Sequence, residues 1–224
     1  MKKKVIITED GSHTLHVEEI NESYHSTHGA VQESAHIFIN AGFKGFLSEN
    51  EVRVLEIGFG TGLNAYLTLL EAEKNKKHVY YTTLELYPLP VDEVLQLNYP
   101  EILCEDRTLY EEIHHSPWGK DTGVTSFFTL HKIKADFTGY ELPGIYDVIY
   151  FDAFSPERQP DMWTEGGFIK IYEHSGNGAV ITTYCAKGDV RRAMQSAGFV
   201  MERLPGPPGK REILRGRRVE SFES

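Results

Sequence analysis

Apolar residues fall in short dense runs along the chain, separated by stretches where they recur at helical spacing. Val52 through Ile57, Val79 through Leu84, Phe127 through Ile133, Tyr146 through Phe151 and Ala179 through Tyr184 each fit a strand buried on both faces. Asn64–Glu73, with Ala65, Leu69 and Ala72 on one side, fits a helix between the first two runs. A shorter helical stretch covers Val91–Gln96, an irregular segment runs to about Gly123, and another helix is expected near Met162–Ile171. In Lys187–Ala197 the apolar residues Val190, Ala193, Met194 and Ala197 sit at i, i+3, i+4 and i+7, and Gly198 ends the helix. Phe199–Leu204 and Ile213–Arg217 close the pattern as a strand pair. Residues 1–50 mix short alternating runs with a helix near Val31–Asn40, predicting an N-terminal extension with a hairpin, packed on a core of residues 51–224. The alternation of strand and helix predicts an α/β fold, Rossmann-like, with a mainly parallel seven-stranded sheet covered by helices on both faces.

The length, 224 residues, suits one large domain or a domain with a modest extension. No run is long and apolar enough for a membrane span, so no membrane partner is expected. Met1-Lys2-Lys3-Lys4 starts like an export signal, but the chain turns polar at Thr8-Glu9-Asp10. A cytoplasmic location with Cys104 and Cys185 reduced follows as the expectation. The net charge of −10 argues against a protein that coats nucleic acid generally. The charge is uneven: from Lys187 onward nine Lys and Arg face five acids, so the tail is +4 and the rest −14. That tail is either a polyanion-binding face or a solvated helix and strand.

Glu56-Ile57-Gly58-Phe59-Gly60-Thr61-Gly62 follows a predicted strand and opens a helix. Glycines there permit positive φ and let a ligand approach the backbone. The third glycine that a dinucleotide-binding turn requires is replaced by Leu63. A nicotinamide dinucleotide needs that seat for its pyrophosphate; S-adenosylmethionine has no pyrophosphate, so the spacing favours it as cofactor. Glu85, at the end of the second strand, is placed to accept hydrogens from ribose hydroxyls, and Asp136, after the third, from an adenine amino group. Taken singly, the glycine turn can be structural and Glu85 a solvated strand end; the ordered set of Glu56, the glycines, Glu85, Asp136 and Asp152 is harder to obtain by accident.

Asp152-Ala153-Phe154-Ser155-Pro156 follows the fourth core strand, at the sheet edge where α/β proteins hold ligands. Asp152 suits a role in orienting and deprotonating a nitrogen nucleophile, and Phe154 a wall for a flat substrate and a cationic sulfonium. The competing reading makes Asp152 the cap of the helix near Met162–Ile171. In Gly206 through Glu212, Lys210 and Arg211 are either phosphate ligands or solvated turn charges. His25, His28, His114 and His115 lack ligand spacing for zinc, so no metal is expected.

Leu55 through Asn64 looks like the donor-binding motif of the MnmC-type tRNA methyltransferase domain. Asp152 through Pro156, continuing through Pro160-Asp161-Met162-Trp163-Thr164, is similar to that family's active-site loop. Thr183-Tyr184, Val190-Arg191-Arg192, Ala197-Gly198-Phe199 and Gly209-Lys210-Arg211-Glu212 match its C-terminal signature in order, and the resemblance spans roughly Tyr24 to Arg217. It implies a class I methyltransferase fold and methylation of the aminomethyl group on the wobble uridine of tRNA, giving 5-methylaminomethyl-(2-thio)uridine. The residues expected to hold the donor are Glu56, Gly58, Phe59, Gly60, Thr61, Gly62, Asn64, Glu85, Asp136, Phe137 and Asp152. Asp152 and Phe154 are the expected catalytic pair, and Tyr24, Glu33, Pro156, Tyr184, Lys210 and Arg211 the expected substrate contacts. Many members carry a flavin-dependent oxidase domain after this one; none is found in this sequence, so the expectation is either a separate oxidase partner or an amine that arrives by another route, with the basic tail meeting the anticodon arm. Rival readings are a methyltransferase acting on a small-molecule or protein amine, a nicotinamide oxidoreductase, and a donor-binding subunit without activity.

Overall fold

The computed structural model describes residues 2–219. Strands β1 (Lys3–Ile7), β2 (His13–Val17) and β3 (Glu22–Ser23) form a small antiparallel sheet in the order β1-β2-β3. Helix α1 (Ala30–Ser34) continues as a π-helix over Ala35–Asn40, where a single helix is expected from the sequence.

The main sheet has eight strands: β4 (Glu51–Ile57), β5 (His78–Glu85), β6 (Asp121–Gly123), β7 (Phe128–Lys134), β8 (Tyr146–Phe151), β9 (Ser175–Thr183), β10 (Val200–Pro205) and β11 (Glu212–Arg217). Their order is β10-β11-β9-β8-β4-β5-β7-β6. The five strands from β9 to β7 are parallel, and β11, β10 and β6 run antiparallel to their neighbours. Seven of these strands are the ones predicted from hydrophobic runs. The eighth, β6, was expected to be irregular: it has three residues, exposed or half-buried, and pairs only along the edge of β7. The segment after Gln96 is likewise more ordered than expected, with helices α4 (Tyr99–Leu103) and α5 (Arg107–His115) following the short α3 (Val91–Val94). Asp106 caps α5, its carboxylate accepting a hydrogen from Thr108 N at 2.9 Å.

Strand alternation sorts side chains to the two faces. Val52, Val54, Val79, Tyr81, Val148 and Tyr150 pack on one face with α2 (Leu63–Asn75), α5 and the π-helix. Leu55, Ile57, Ile149 and Phe151 pack on the other with α6 (Glu165–Glu173) and α7 (Gly188–Ser196). Glu56 shares the face of Val52 and Val54, and Asp152 continues that of Val148 and Tyr150, so both acids lie on the α2 side. The chain runs from β4 outward through β5 to β7, then returns through β8 to β9. The order therefore reverses between β4 and β8, and a crevice opens at their carboxyl ends.

Candidate active site

A cavity of about 340 Å3 occupies that crevice. The glycine loop forms its floor: Gly58, Gly60 and Gly62 have φ of 96°, 49° and 72°. A Cβ on Gly58 would lie 2.6 Å from the Asp152 carbonyl oxygen, so backbone passes against backbone there. Glu85 braces the loop from the end of β5, its carboxylate accepting hydrogens from Gly60 N at 3.1 Å and Tyr87 N at 2.8 Å. A carboxylate has about four lone-pair sites, so two remain for a ligand's hydroxyls. Asp136 stands on the exposed rim; one oxygen takes Thr138 N at 2.9 Å, and Phe137 beside it is buried.

Asp152 lies at the opposite end of the cavity, half-buried. Asn64 Nδ2 donates to its Oδ2 at 2.8 Å. Desolvation pushes the Asp152 carboxyl up to about 7, with nearby Glu33 adding to the rise, while the Asn64 hydrogen bond and Lys210 oppose it. Asp152 does not cap the following helix; Thr164 does, its hydroxyl accepting from Gly167 N at 3.2 Å. The loop between them is pinned by side chains. Trp163 Nε1 donates to Phe154 O at 2.8 Å, Phe154 N donates to Gln159 Oε1 at 3.0 Å, and Ser155 N donates to Glu22 Oε1 at 3.2 Å. Phe154 meets Tyr24 edge to face, ring centroids 5.1 Å apart.

The cavity brings together Tyr24, Glu33, Gly58, Phe59, Gly60, Thr61, Asn64, Glu85, Asp136, Phe137, Asp152, Phe154, Tyr184 and Lys210. Four other sequence-expected residues do not line it. Glu56 is fully buried beneath the loop, where Thr83 Oγ1 donates to its Oε2 at 2.8 Å and burial holds its carboxyl well above the usual range. Gly62 sits behind, where a Cβ would meet the His114 ring at 2.8 Å. Pro156 lies further along the loop, and the Arg211 side chain is 94% exposed.

A group around Thr61 escaped the sequence reading. His25 Nε2 is 2.7 Å from Thr61 Oγ1, Tyr99 OH donates to that hydroxyl at 3.3 Å, and Tyr110 OH donates to Thr61 O at 2.9 Å. Burial drives the His25 imidazole down to about 4 and that of His114 down to about 3, so both are neutral rings at pH 7. Lys132, 1% exposed, donates to Ile113 O at 2.8 Å and His114 O at 2.9 Å, closing the end of α5. None of these carried a local motif; each is a buried polar residue defined by distant partners.

The donor set fits S-adenosylmethionine. Exposed glycine backbone, a strand-end carboxylate for paired hydroxyls, apolar walls at Leu84, Leu86 and Phe137 for a flat base, and Asp152 with Asn64 for a charged end line one cavity. Among the described residues no helix is long and apolar enough to cross a membrane, and no group of three His, Cys, Asp or Glu could hold a metal ion. The cysteines are free, Cys104 exposed and Cys185 buried.

Comparisons with known proteins bear on the fold and the donor. Residues 128–219 match a family model described as S-adenosyl-L-methionine-dependent methyltransferase. The "tRNA 5-methylaminomethyl-2-thiouridine biosynthesis bifunctional protein MnmC" of Pseudomonas fluorescens is 32% identical over 211 residues, covering 88% of this chain and 32% of the relative. The protein of that name from Leptospira interrogans is 27% identical over 218 residues, covering 92% and 34%. The chain thus spans about a third of the length of the curated relatives it matches. The crystal structure of MNMC2 from Aquifex aeolicus superposes with a TM-score of 0.75 at 23% identity, covering 99% of this chain and 73% of that one. Spermidine synthase from Thermotoga maritima shares the fold at a TM-score of 0.59 and 12% identity, covering 95% and 70%. Fold, donor cradle and relatives converge: the chain has the class I α/β methyltransferase fold, matches the S-adenosyl-L-methionine-dependent methyltransferase family model over residues 128–219, and resembles the methyltransferase part of the MnmC proteins.

Proposed function

We propose that this chain methylates the nitrogen of the 5-aminomethyl group on the wobble uridine of tRNA, giving 5-methylaminomethyl-(2-thio)uridine. The observation that carries the reading is Asp152: a carboxylate poised near neutral pH, aimed by Asn64, inside the cavity that also holds the glycine loop. An alkyl ammonium has no lone pair, so it must lose a proton before it can act as a nucleophile. Asp152 accepts that proton through Oδ1 or Oδ2 and leaves a neutral amine. When bound, the donor supplies an electrophilic methyl group on a sulfonium. Phe154, Tyr24 and Tyr184 wall the cavity with aromatic rings that suit a flipped-out base and exclude water. The curated relatives bear the name of that modification.

The tRNA surface that fits is narrower than the whole basic tail. Lys187 pairs with Glu157, Arg192 with Asp189, Arg203 with Glu212, and Arg215 and Arg217 with Glu202. Arg211, whose side chain is 94% exposed and lies 3.7 Å from Glu212, projects from the β10–β11 loop that carries Lys210 into the cavity and is the expected phosphate contact. A separate flavin-dependent oxidase supplying the amine, and a cytoplasmic location, complete the proposal. The test is radiolabelled S-adenosylmethionine with the purified chain and tRNA carrying 5-aminomethyluridine, followed by nucleoside analysis. Label in 5-methylaminomethyluridine is expected, and Asp152→Ala should lose most turnover even at saturating donor. No label, with donor binding intact, moves the acceptor to a small-molecule or protein amine.

A further inference from the structure

Glu33 is a buried carboxylate, 8% exposed, on a helix remote in sequence from the rest of the cavity. Its Oε2 accepts a hydrogen from Ser26 N at 2.8 Å, and its Oε1 lies 3.4 Å from Lys210 Nζ. The same ammonium stands 4.8 Å from the centroid of the Tyr184 ring. That ring is fixed by its hydroxyl, which donates to Ala153 O at 2.9 Å in the Asp152 loop. Glu33, Tyr184, Lys210 and Asp152 all line the one cavity. A carboxylate and an aromatic face around one cation are the elements of an ammonium-binding site.

The cation is delivered by a constrained loop. Lys210 N donates to Pro207 O at 2.9 Å and Gly206 N to Arg211 O at 3.1 Å across the β10–β11 turn. Gly209 has φ of 82°, and a Cβ there would lie 2.0 Å from the His28 ring. The lysine side chain ends in a methylene bearing a primary ammonium, the same group that a protonated aminomethyl substituent presents. We infer that Glu33 and Tyr184 form the ammonium subsite for the acceptor, and that Lys210 fills it as an internal stand-in which the acceptor displaces. The cavity then holds one cation whether empty or loaded, so neither state leaves Glu33 unpaired at depth. An acceptor with a neutral substituent has no charge with which to displace Lys210 and is rejected. This rests on the amine reading above but uses no donor chemistry.

The test measures direct binding, without donor, of benzylammonium and of neutral benzyl alcohol to the full chain by NMR titration. Wild type, Lys210→Met and Glu33→Gln are compared, with thermal unfolding as the check that each is folded. Removing an internal competitor raises the fraction of open sites. Lys210→Met should bind benzylammonium roughly tenfold more tightly, as loss of a partly buried ion pair of about 1.4 kcal/mol requires, and benzyl alcohol as before. Glu33→Gln should abolish the preference for the cation. The inference is overturned if Lys210→Met leaves benzylammonium binding unchanged, weaker or undetectable, or if it tightens both probes equally. Tightening of benzylammonium alone, in a chain that leaves tRNA unlabelled, sustains the subsite and removes the tRNA reading. Labelled tRNA without that tightening does the reverse.

Discussion

Asn64→Leu isolates the hydrogen bond that aims Asp152. Asn64 is 2% exposed and of similar size to leucine, and its Oδ1 has no partner among the described residues. The substitution removes the 2.8 Å donation from Nδ2 to Asp152 Oδ2, together with the Asn64 interaction that lowers the buried Glu56 carboxyl. A hydrogen bond to a charged group contributes about 1.5–3 kcal/mol. The bond favours the ionised carboxylate, so its loss raises the Asp152 pKa from about 7 by roughly one to two pH units. Activity requires the ionised form, so the acidic limb of kcat/KM against pH moves upward by that amount. At pH 7, where the wild type is about half ionised, the rate falls roughly 5- to 50-fold, and it recovers as the pH is raised through about 9. Methyl transfer measured at saturating donor from about pH 5.5 to about pH 10, which spans the limbs of both proteins, gives the result directly. A merely structural loss lowers the rate equally at every pH. A limb that stays in place, or moves down, refutes the assignment of Asp152 as the base that Asn64 aims.

Asp152→Asn should stabilise the donor-free chain at pH 8. The folded pKa of Asp152 is raised, so its contribution to stability is full below about 4 and is lost as pH rises through 7; the amide escapes that loss, by on the order of 2–4 kcal/mol, with the difference vanishing near pH 4 in denaturant titrations. Lys132→Met should flatten the alkaline stability profile. Desolvation lowers the Lys132 ammonium from 10.5 to about 8, so wild-type stability rises with pH between those values; a methionine variant that keeps this rise would show the lysine is not its source. Gly58→Ala should weaken donor binding more than about tenfold and cost roughly 1–3 kcal/mol, because it forces a Cβ onto the Asp152 carbonyl at positive φ; calorimetric donor binding like the wild type would mean the loop moves aside.

The main sheet was legible because each long strand is a dense apolar run, and a strand buried on both faces has little alternative. Edge strand β6 has no such run: Asp121, Thr122 and Gly123 acquire strand geometry only by pairing with His131, Leu130 and Thr129. Helix α5 is short, and although Tyr110, Ile113 and His114 recur on one buried face after the Asp106 cap, that signal in the sequence went unread. In the site, Gly58, Gly60, Glu85 and Asp152 were readable from their place at strand ends, where topology alone brings them together. Glu56 and Arg211 were named from the same motifs, yet side-chain direction puts one under the sheet's end and the other in solvent. His25, Tyr99, Tyr110 and Lys132 had no local signal, since what defines each is a partner 18 to 49 residues away.

Thr61 takes hydrogen-bond partners from residue 25 and from residues 99 and 110, so the glycine loop is clamped by two segments that lie outside the strands of the main sheet. Grip on the donor and docking of the first segment are then two readings of one equilibrium, and linkage makes the coupling reciprocal. Whatever factor His25→Ala removes from donor affinity, saturating donor restores to the docked population of the N-terminal sheet. Protection of that sheet against protease or hydrogen exchange becomes a gauge of donor occupancy, readable without any acceptor present.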